Sequence, residues 1–326
     1  MSAMDFETFA GAIKFLAPKL LNEGEEILVE RKNLESTKTL ELRNVQFAVN
    51  SPFVFVIHPN YNISKLWLYS ELLTEFLCLP SSLGEKYSSA GTQDFLKTFW
   101  TTQGIANYTY GRRWAHDRVF EKIVERLKKN IFTRQAVFNT YRNDFDLNKD
   151  EFNISCTLMH QFLIRHDKDG KLKLNLVVVY RSNDFTIGLK NDFFINAFFL
   201  NLMTTWLQLE DVDVSAGSIT FFISSLHLYE KDLQKLKSLV ETIDDIVVDT
   251  AYYPLSAENY SSPKEIFEDL WRVQEIEELS RSGNFNAAHA LISQLKSLQT
   301  TDMGIKFYDK NVRDNEAVQN KNSSSE

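Results

Sequence analysis

Hydrophobic residues recur along much of the chain every three or four positions, a spacing that predicts amphipathic helices. The first such segment begins at Phe6, is interrupted by Pro18 and breaks near Gly24, because proline and glycine disfavour helix interiors. The segment Asp192–Leu209 is apolar nearly all round, which predicts a helix buried in the core. The other predicted helices are Ser64–Leu79, with Glu71 on its inward face, Val119–Lys129, Lys264–Arg281 and Asn286–Gln299.

Other segments alternate hydrophobic and polar residues or form short apolar runs, and these patterns predict strands. The predicted strands are Glu26–Glu30, Thr39–Val49, Phe53–Ile57, Ala136–Tyr141, Cys156–Arg165, Lys173–Tyr180, Ser218–Ser224 and Asp245–Asp249. We expect residues 1–250 to form one compact domain. The composition changes from Ala251 onward, so we expect residues 251–326 to form a helical extension that ends in a disordered tail.

Composition and charge narrow the classes of function. The chain has 36 Lys and Arg against 44 Asp and Glu, a net charge of −8, whereas a surface that holds duplex DNA needs clustered basic residues. No apolar run reaches the roughly 18 residues that a membrane span needs, and the N-terminus lacks the pattern of a signal peptide. Two Cys and six His without an HExxH spacing provide no common metal site. We expect a cytoplasmic protein with no metal, membrane or nucleic-acid partner.

Several polar residues interrupt otherwise apolar segments, and each has a structural explanation. Cys156 opens an apolar strand, where a lone cysteine is most often a small core residue. The sequence YRSNDFTIGLKND is polar enough for a solvated turn, and Asp192 at the start of the buried helix is explained equally well as a helix cap. His227 and Tyr229 are two residues apart, so they share a face if the segment is a strand.

Taken together, in their order and spacing, these residues resemble the thymidylate synthase family. In that family a Cys opens a strand with Gln five residues later, Arg-Ser-x-Asp ends a strand, a Gly-Leu turn leads to an amide or acid at a buried helix, and His-x-Tyr follows. The matching positions are Cys156, Gln161, Arg181–Asp184, Gly188–Asp192, His227–Tyr229 and, earlier, Glu71–Leu73, Tyr110–Trp114 and Thr133–Gln135. Within the family, RSND, KND, AGSI and SLHLY look most like the phage deoxycytidylate hydroxymethylases.

The resemblance covers roughly residues 30–245 and implies an α+β, thymidylate synthase-like fold with a large mixed β-sheet flanked by helices. It also implies a homodimer that uses a pyrimidine nucleotide and 5,10-methylenetetrahydrofolate. Cys156 would attack C6 of the base as a thiolate, with its pKa depressed by Arg181. The other implied roles are phosphate binding by Arg134, Arg181 and Ser182, nucleotide binding by Gln161, Asn183, His227 and Tyr229, folate binding by Asp184 and Glu71, and proton transfer by Tyr110 and Glu71.

Asp192 is the most informative departure from the synthases, because uracil-specific members of the family have Asn there. A carboxylate accepts a hydrogen bond from the N4 amino group of cytosine, which uracil lacks. A buried carboxyl group with a raised pKa can also share a proton with N3 as Cys156 adds to the ring. Asp192 therefore predicts dCMP or CMP as the substrate and acts as both a binding and a catalytic residue.

The one-carbon intermediate at C5 has two fates, reduction to a methyl group or addition of water to give hydroxymethyl. The synthases keep this intermediate dry with an apolar C-terminal peptide, whereas this sequence ends in NKNSSSE, which favours hydroxymethylation. Two alternatives stay open. One is a C5-methylating enzyme acting on dCMP or dUMP, and the other is a catalytically silent relative, because Thr157 and Gln135 replace the His and Arg of the synthases.

Overall fold

The computed structural model describes residues 4–31, 34–61, 110–116, 118–147, 154–249, 255–292 and 294. Its strands are β1 (Met4–Phe6), β2 (Glu25–Arg31), β3 (Leu34–Val49), β4 (Phe55–Ile57), β5 (Val137–Asn139), β6 (Thr157–His166), β7 (Leu172–Tyr180), β8 (Asn183–Asp184), β9 (Ser215–Tyr229) and β10 (Val247–Asp249). Its α-helices are α1 (Phe9–Glu23), α2 (Tyr110–His116), α3 (Val119–Lys129), α4 (Asn143–Asp146), α5 (Gly188–Leu209), α6 (Leu233–Glu241), α7 (Pro263–Arg281) and α8 (Phe285–Ile292).

The chain divides into two compact units, residues 1–204 with 213–250 and residues 205–212 with 251–326. The larger unit is built on a mixed sheet in which the order is β1-β3-β9-β7-β6-β5, with β2 paired to β3 and β8 to β9. The β3–β9 and β6–β7 pairs are antiparallel, whereas β7 and β9 are parallel. The predicted large mixed sheet with helices is thereby confirmed.

One face of the sheet is covered by α1 and α5 through a run of aromatic side chains. Phe9 of α1 stacks on Phe193 of α5 with ring centroids 4.1 Å apart, and Phe193 lies 6.2 Å from Phe221 of β9. Phe47 of β3 stacks on Phe221 at 5.0 Å. Burying each of these side chains contributes about 1.5–3 kcal/mol, so the nearly all-apolar sequence of α5 is explained by its place in the core.

The opposite face of the sheet is only partly covered within the described chain. Because side chains alternate along a strand, the neighbours of buried residues on β5, β6, β7 and β9 point to this side. We call it the open sheet face, and it consists of Val137, Met159, Gln161, Leu163, Val177, Val179, Thr220 and Phe222. The apolar members Val137 and Phe222 are 38% and 37% exposed.

The smaller unit contains the end of α5 together with α7 and α8. Within it, Thr205 Oγ1 donates to the carbonyl of Leu255 at 3.3 Å, and the rings of Trp206 and Phe267 lie 6.2 Å apart. The buried Asp269 accepts from Tyr260, so its carboxylate is paired. None of the helices in the described ranges has the length and hydropathy needed to cross a bilayer. The predicted helix over residues 64–79 and the predicted disordered tail lie outside the described residues.

Three predicted boundaries were wrong in ways that matter for the site. Helix α5 begins at Gly188 rather than at Asp192, so Asp192 lies in its second turn and does not cap it. Asp184 Oδ1 instead accepts from the backbone N–H of Ile187 at 2.6 Å, just before the helix. Strand β9 begins at Ser215 rather than Ser218 and runs on to Tyr229 rather than Ser224. Residues 110–116, for which no element was predicted, form α2.

A chain of buried polar side chains lies beneath β6. Trp114 Nε1 donates to Thr140 Oγ1 at 3.2 Å, and this hydroxyl lies 3.4 Å from His160 Nδ1. His160 Nε2 lies 3.1 Å from Asn196 Oδ1, and Asn196 Nδ2 donates to the Tyr180 hydroxyl at 2.7 Å. Burial lowers the pKa of His160 to about 3. His160 is therefore neutral, with Nε2–H donating to Asn196 and Nδ1 accepting from Thr140.

His160→Gln is expected to weaken the acid sensitivity of folding. The unfolded chain gains a proton at His160 below pH 6.5, whereas the folded protein gains it only near pH 3. Between these values, His160 makes the free energy of unfolding fall as the pH falls, by up to about 1.4 kcal/mol per pH unit. Urea unfolding of both proteins from pH 7 to pH 4 measures the difference. The exposed His166→Gln is the matched control, and parallel curves for wild type and His160→Gln would contradict a buried neutral imidazole.

Candidate active site

The antiparallel pairing of β6 and β7 brings Cys156 and Arg181 together. Cys156 directly precedes β6 and Arg181 directly follows β7, so the two residues meet at the same end of the hairpin. The backbone N–H of Arg181 donates to the carbonyl of Cys156 at 2.9 Å. From α2, the Tyr110 hydroxyl accepts from the N–H groups of Cys156 and Thr157 at 3.3 and 3.5 Å. Two residues that are 25 positions apart are thus fixed next to one another by backbone contacts.

The guanidinium of Arg181 is held against the segment that precedes Cys156. Its Nε donates to the carbonyl of Ser155 at 2.9 Å and its Nη2 to the carbonyl of Ile154 at 2.8 Å. The same Nη2 lies 3.7 Å from Cys156 Sγ, and Ser182 Oγ lies 3.8 Å from that sulfur. The thiol therefore sits between a cation and a hydroxyl whose positions are both set by the end of β7.

Burial nevertheless raises the pKa of the Cys156 thiol above its ordinary value. Arg181 and Ser182 lower this pKa, whereas the carboxylates of Asp192 and Asp184 raise it. The prediction of a depressed pKa was therefore wrong for the protein by itself. Arg181 acts in the expected direction, but the loss of hydration and two nearby negative charges outweigh one cation.

Two carboxylates face the site, Asp184 from β8 and Asp192 from the second turn of α5. The Asn183 side chain donates to Asp192 Oδ2 at 2.8 Å, and Asn196 Nδ2 donates to the backbone carbonyl of Asp192 at 2.7 Å. Asp184 Oδ1 accepts from Thr186 Oγ1 at 2.8 Å, while the buried Oδ2 of Asp184 has no hydrogen-bond partner among the described residues. Asp192 is thus held in place, and Asp184 keeps a buried acceptor for a further donor.

His227 and Tyr229 lie on β9, and His227 is next to Asp184. His227 pairs in register with Asp184 of β8, and the rings of His227 and Tyr229 are perpendicular with centroids 5.2 Å apart. Burial lowers the pKa of His227, opposed mainly by the charge of Asp184. A mostly neutral imidazole next to a phenol can donate or accept a hydrogen bond, which suits recognition of a hydroxyl group.

Lys190 is a further charged group near Asp184. Its Nζ lies 4.3 Å from the centre of the Tyr61 ring, a cation–π contact. Burial lowers the pKa of Lys190 to about 8, although Asp184 acts in the opposite direction. In the sequence, Lys190 contributed only to the KND triplet that looks like the phage enzymes. Its position near Asp184 was not predicted.

Gln161 and Arg134 lie together on the other side of the sheet. Gln161 belongs to the open sheet face, and its Nε2 donates to the backbone carbonyl of Arg134 at 2.8 Å. The Arg134 side chain is exposed. The described contacts bring neither residue to Cys156, so their roles at the nucleotide stay predictions. Glu71, which was expected to act near C5, lies outside the described residues.

Sequence reasoning missed two buried residues beside the site, Asn196 and Tyr180. The Tyr180 hydroxyl is close enough to the Asp192 carboxylate for that charge to raise its pKa, although burial is the larger cause. Asn196 comes four residues after Asp192, which is about one helical turn. An amide one helical turn after Asp192 in a mostly apolar segment was the available signal.

Comparison with known proteins places the chain in a family. The sequence model described as thymidylate synthase matches residues 65–248, which is more than half of the chain. The chain belongs to the thymidylate synthase family. Its structure is similar to that of thermostable thymidylate synthase A from Bacillus subtilis, with a TM-score of 0.54 and 16% identity over 75% of this chain and 95% of that one.

Sequence relatives include two kinds of enzyme. Deoxycytidylate 5-hydroxymethyltransferase of Enterobacteria phage T4 is 29% identical over 203 residues, which are 60% of this chain and 77% of that protein. Thymidylate synthase of Lactococcus lactis subsp. lactis is 23% identical over 180 residues, 54% of this chain. The match spans only 58% of the length of the Lactococcus protein.

We expect two substitutions to move the pKa of Cys156 in opposite directions. Arg181→Gln should raise it further, and Asp192→Asn should lower it, because the first removes an attracting cation and the second a repelling carboxylate. The pH dependence of Cys156 alkylation by iodoacetamide, followed by peptide-resolved mass spectrometry, measures both changes. Cys78 in the same digests is the internal reference. If both substitutions raised the pKa of Cys156, or both lowered it, the opposing effects of Arg181 and Asp192 on the thiol would be contradicted.

Proposed function

We propose that the protein is a folate-dependent one-carbon transferase that converts dCMP or CMP to its 5-hydroxymethyl derivative. The observation that carries this proposal is the arrangement around Cys156. A thiol lies 3.7 Å from a fixed guanidinium, and the carboxylate of Asp192 faces the same site. A nucleophile, an anion-binding cation and a group that accepts from an exocyclic amine are what C5 chemistry on a cytosine nucleotide requires.

In the proposed reaction, Cys156 Sγ forms a bond to C6 of the base. The electron pair of the C5–C6 double bond then makes C5 nucleophilic, and a proton shared between Asp192 and N3 stabilises the adduct. C5 would then form a bond to the one-carbon unit of 5,10-methylenetetrahydrofolate. Loss of the C5 proton and cleavage of the bond between that carbon and the folate nitrogen would release tetrahydrofolate and leave an exocyclic methylene group. Water adds to the resulting exocyclic carbon, and elimination of Cys156 restores the C5–C6 double bond.

The nucleotide and the folate have distinct binding groups in this proposal. Arg181 and Ser182 are suited to the 5′-phosphate because a guanidinium and a hydroxyl converge there. His227 and Tyr229 are suited to a sugar hydroxyl. The buried Oδ2 of Asp184 has no hydrogen-bond partner among the described residues and is suited to N–H donors of the pterin ring. The pterin belongs to 5,10-methylenetetrahydrofolate, which would supply the one-carbon unit.

Binding of cytosine would also help to activate the thiol. The Asp192 carboxylate raises the pKa of Cys156, and this effect weakens when its charge is shared with the amino group and N3 of the base. The pKa of Cys156 would then fall when the correct base binds. The raised pKa of Cys156 in the isolated protein is therefore compatible with a nucleophilic role for this thiol.

A second candidate is C5 methylation with release of dihydrofolate, favoured by the similarity to thymidylate synthases. We favour hydroxymethylation because Asp192 suits cytosine and because the 29% identity to the phage enzyme is higher than the 23% identity to the Lactococcus enzyme. A catalytically silent relative is the third candidate. Against it stand the assembled groups around Cys156, which a silent protein has no need to keep together.

We further propose that the active form is a homodimer. The open sheet face presents half-exposed Val, Leu, Met and Phe side chains on several adjacent strands, a surface suited to packing against a second copy. Arg134 is exposed. Its backbone carbonyl accepts from Gln161, which places Arg134 next to this face. It would reach the phosphate site of the partner, which explains why no described contact ties it to its own Cys156.

Incubation with 5,10-methylenetetrahydrofolate and either dCMP, CMP or dUMP is expected to give 5-hydroxymethyl product from a cytidine nucleotide, with release of tetrahydrofolate. Mass spectrometry of the nucleotide identifies the product, and absorbance identifies dihydrofolate. Cys156→Ser should abolish turnover while keeping the thermal unfolding midpoint, because only the nucleophile changes. Dihydrofolate and a methyl product would favour the second candidate, and full turnover by Cys156→Ser would overturn the mechanism.

Mixing two inactive variants, Arg134→Ala and Cys156→Ser, is expected to restore activity if Arg134 serves the partner's site. One site of each mixed dimer then contains both wild-type groups, so a random mixture regains about a quarter of wild-type activity by counting the combinations of intact sites. Activity is measured after the two proteins are mixed and exchanged. The control mixture contains Cys156→Ser and the exposed Lys168→Ala variant instead of Arg134→Ala. A fully active monomer in light scattering would refute the proposal.

A further inference from the structure

Asn183 is a buried amide whose orientation is set by its contact with Asp192. It is only 2% exposed, and its Nδ2 donates to Asp192 Oδ2 at 2.8 Å. Its Oδ1 has no hydrogen-bond partner among the described residues and faces Gly188, where an added Cβ would lie 2.8 Å from it. Turning the amide over would set two acceptors, Oδ1 and the carboxylate, against each other, so Asn183 presents a donor to residue 192.

The backbones of both partners are also anchored. Asn183 lies in β8 and pairs with Leu226 of β9, while the backbone carbonyl of Asp192 accepts from Asn196 at 2.7 Å. Asn196 is itself held by its contact with His160. The donor of Asn183 and the carboxylate of Asp192 therefore face each other with little freedom to move apart.

We propose that Asn183 is a positioning residue that selects the base by fixing which atom of residue 192 faces the nucleotide. This inference rests on the proposed function, in which Asp192 contacts the base. Because Asn183 offers an N–H, the atom of residue 192 that meets it must be an acceptor. In the wild type both carboxylate oxygens are acceptors, so the oxygen turned to the base accepts from the N4 amino group of cytosine.

The same donor determines what an amide at position 192 would do. In Asp192→Asn the side-chain oxygen is drawn to Asn183, so the amino group is turned toward the base. An amino group there donates to O4 of uracil and opposes the N4 amino group of cytosine. The preference of Asp192→Asn for dUMP would thus depend on Asn183, which sequence resemblance had assigned to the nucleotide itself.

Exchanging the two side chains tests this directly. In Asn183→Asp with Asp192→Asn, the carboxylate at position 183 accepts from the amino group at position 192, so the amide oxygen at position 192 is turned to the base. The pair keeps one carboxylate and one amide, as in the wild type. Affinities and kcat/KM for dCMP and dUMP are measured for the wild type, for Asp192→Asn and for the exchanged pair.

We expect wild type to prefer dCMP, Asp192→Asn to prefer dUMP, and the exchanged pair to prefer dCMP again. Each reversal should change the ratio of the two kcat/KM values by about 5- to 150-fold, the usual effect of one mismatched buried hydrogen-bonding group. An exchanged pair that keeps the dUMP preference of Asp192→Asn overturns the role of Asn183 while leaving the proposed function intact. A wild type that binds neither nucleotide overturns the proposed function and this inference with it.

A further variant covers the case in which the exchanged pair does not fold. Asn183→Ala in the Asp192→Asn background removes the donor, so the amide at position 192 is free to turn. The dUMP preference of Asp192→Asn should then shrink about fivefold or more. An unchanged ratio would overturn the inference, because a residue that only supports the fold would lower both kcat/KM values alike.

Discussion

The site depends on one backbone arrangement, the antiparallel pairing of β6 and β7 that ends with Arg181 N–H donating to the Cys156 carbonyl. This pairing places the thiol beside the guanidinium before any ligand is present. The Arg181 side chain then spends two of its donors on the carbonyls of Ser155 and Ile154. Its position is therefore set by the protein, and its charge is available to the thiol without further reorganisation.

A second constraint is the start of α5. Asp184 accepts from the N–H of Ile187 at the entrance to the helix, whereas Asp192 lies in the second turn and accepts from Asn183. Gly188 allows Asn183 to approach closely, because a side chain there would collide with the amide oxygen. The polar sequence between β7 and α5 is thus neither an ordinary solvated turn nor a cap at Asp192. It is a folded segment in which Arg181 and Ser182 contact Cys156, Asn183 contacts Asp192, and Thr186 contacts Asp184.

Sequence patterns predicted the helices and strands that have a clear period, such as α3, whose predicted and observed bounds agree. They could not predict β1, because three residues are too few to show alternation. The order and spacing of the motifs predicted that Cys156, Arg181 and Ser182 lie together. They could not predict the pKa of Cys156, because burial depends on the packing of distant elements. The contact between Asn183 and Asp192 could not be predicted either, because its geometry depends on where α5 begins.

Charge balance connects recognition of the base to activation of the nucleophile in the proposed reaction. Arg181 is a cation close to Cys156, while Asp192 and Asp184 oppose it. A nucleotide phosphate at Arg181 would add more negative charge, so phosphate binding alone would make the thiolate harder to form. An interaction that draws charge away from Asp192 or Asp184 acts in the other direction. In the proposed reaction, a base that pairs with Asp192 would therefore also promote its own attack by Cys156, whereas a mismatched base would leave the Asp192 charge opposing ionisation of the thiol.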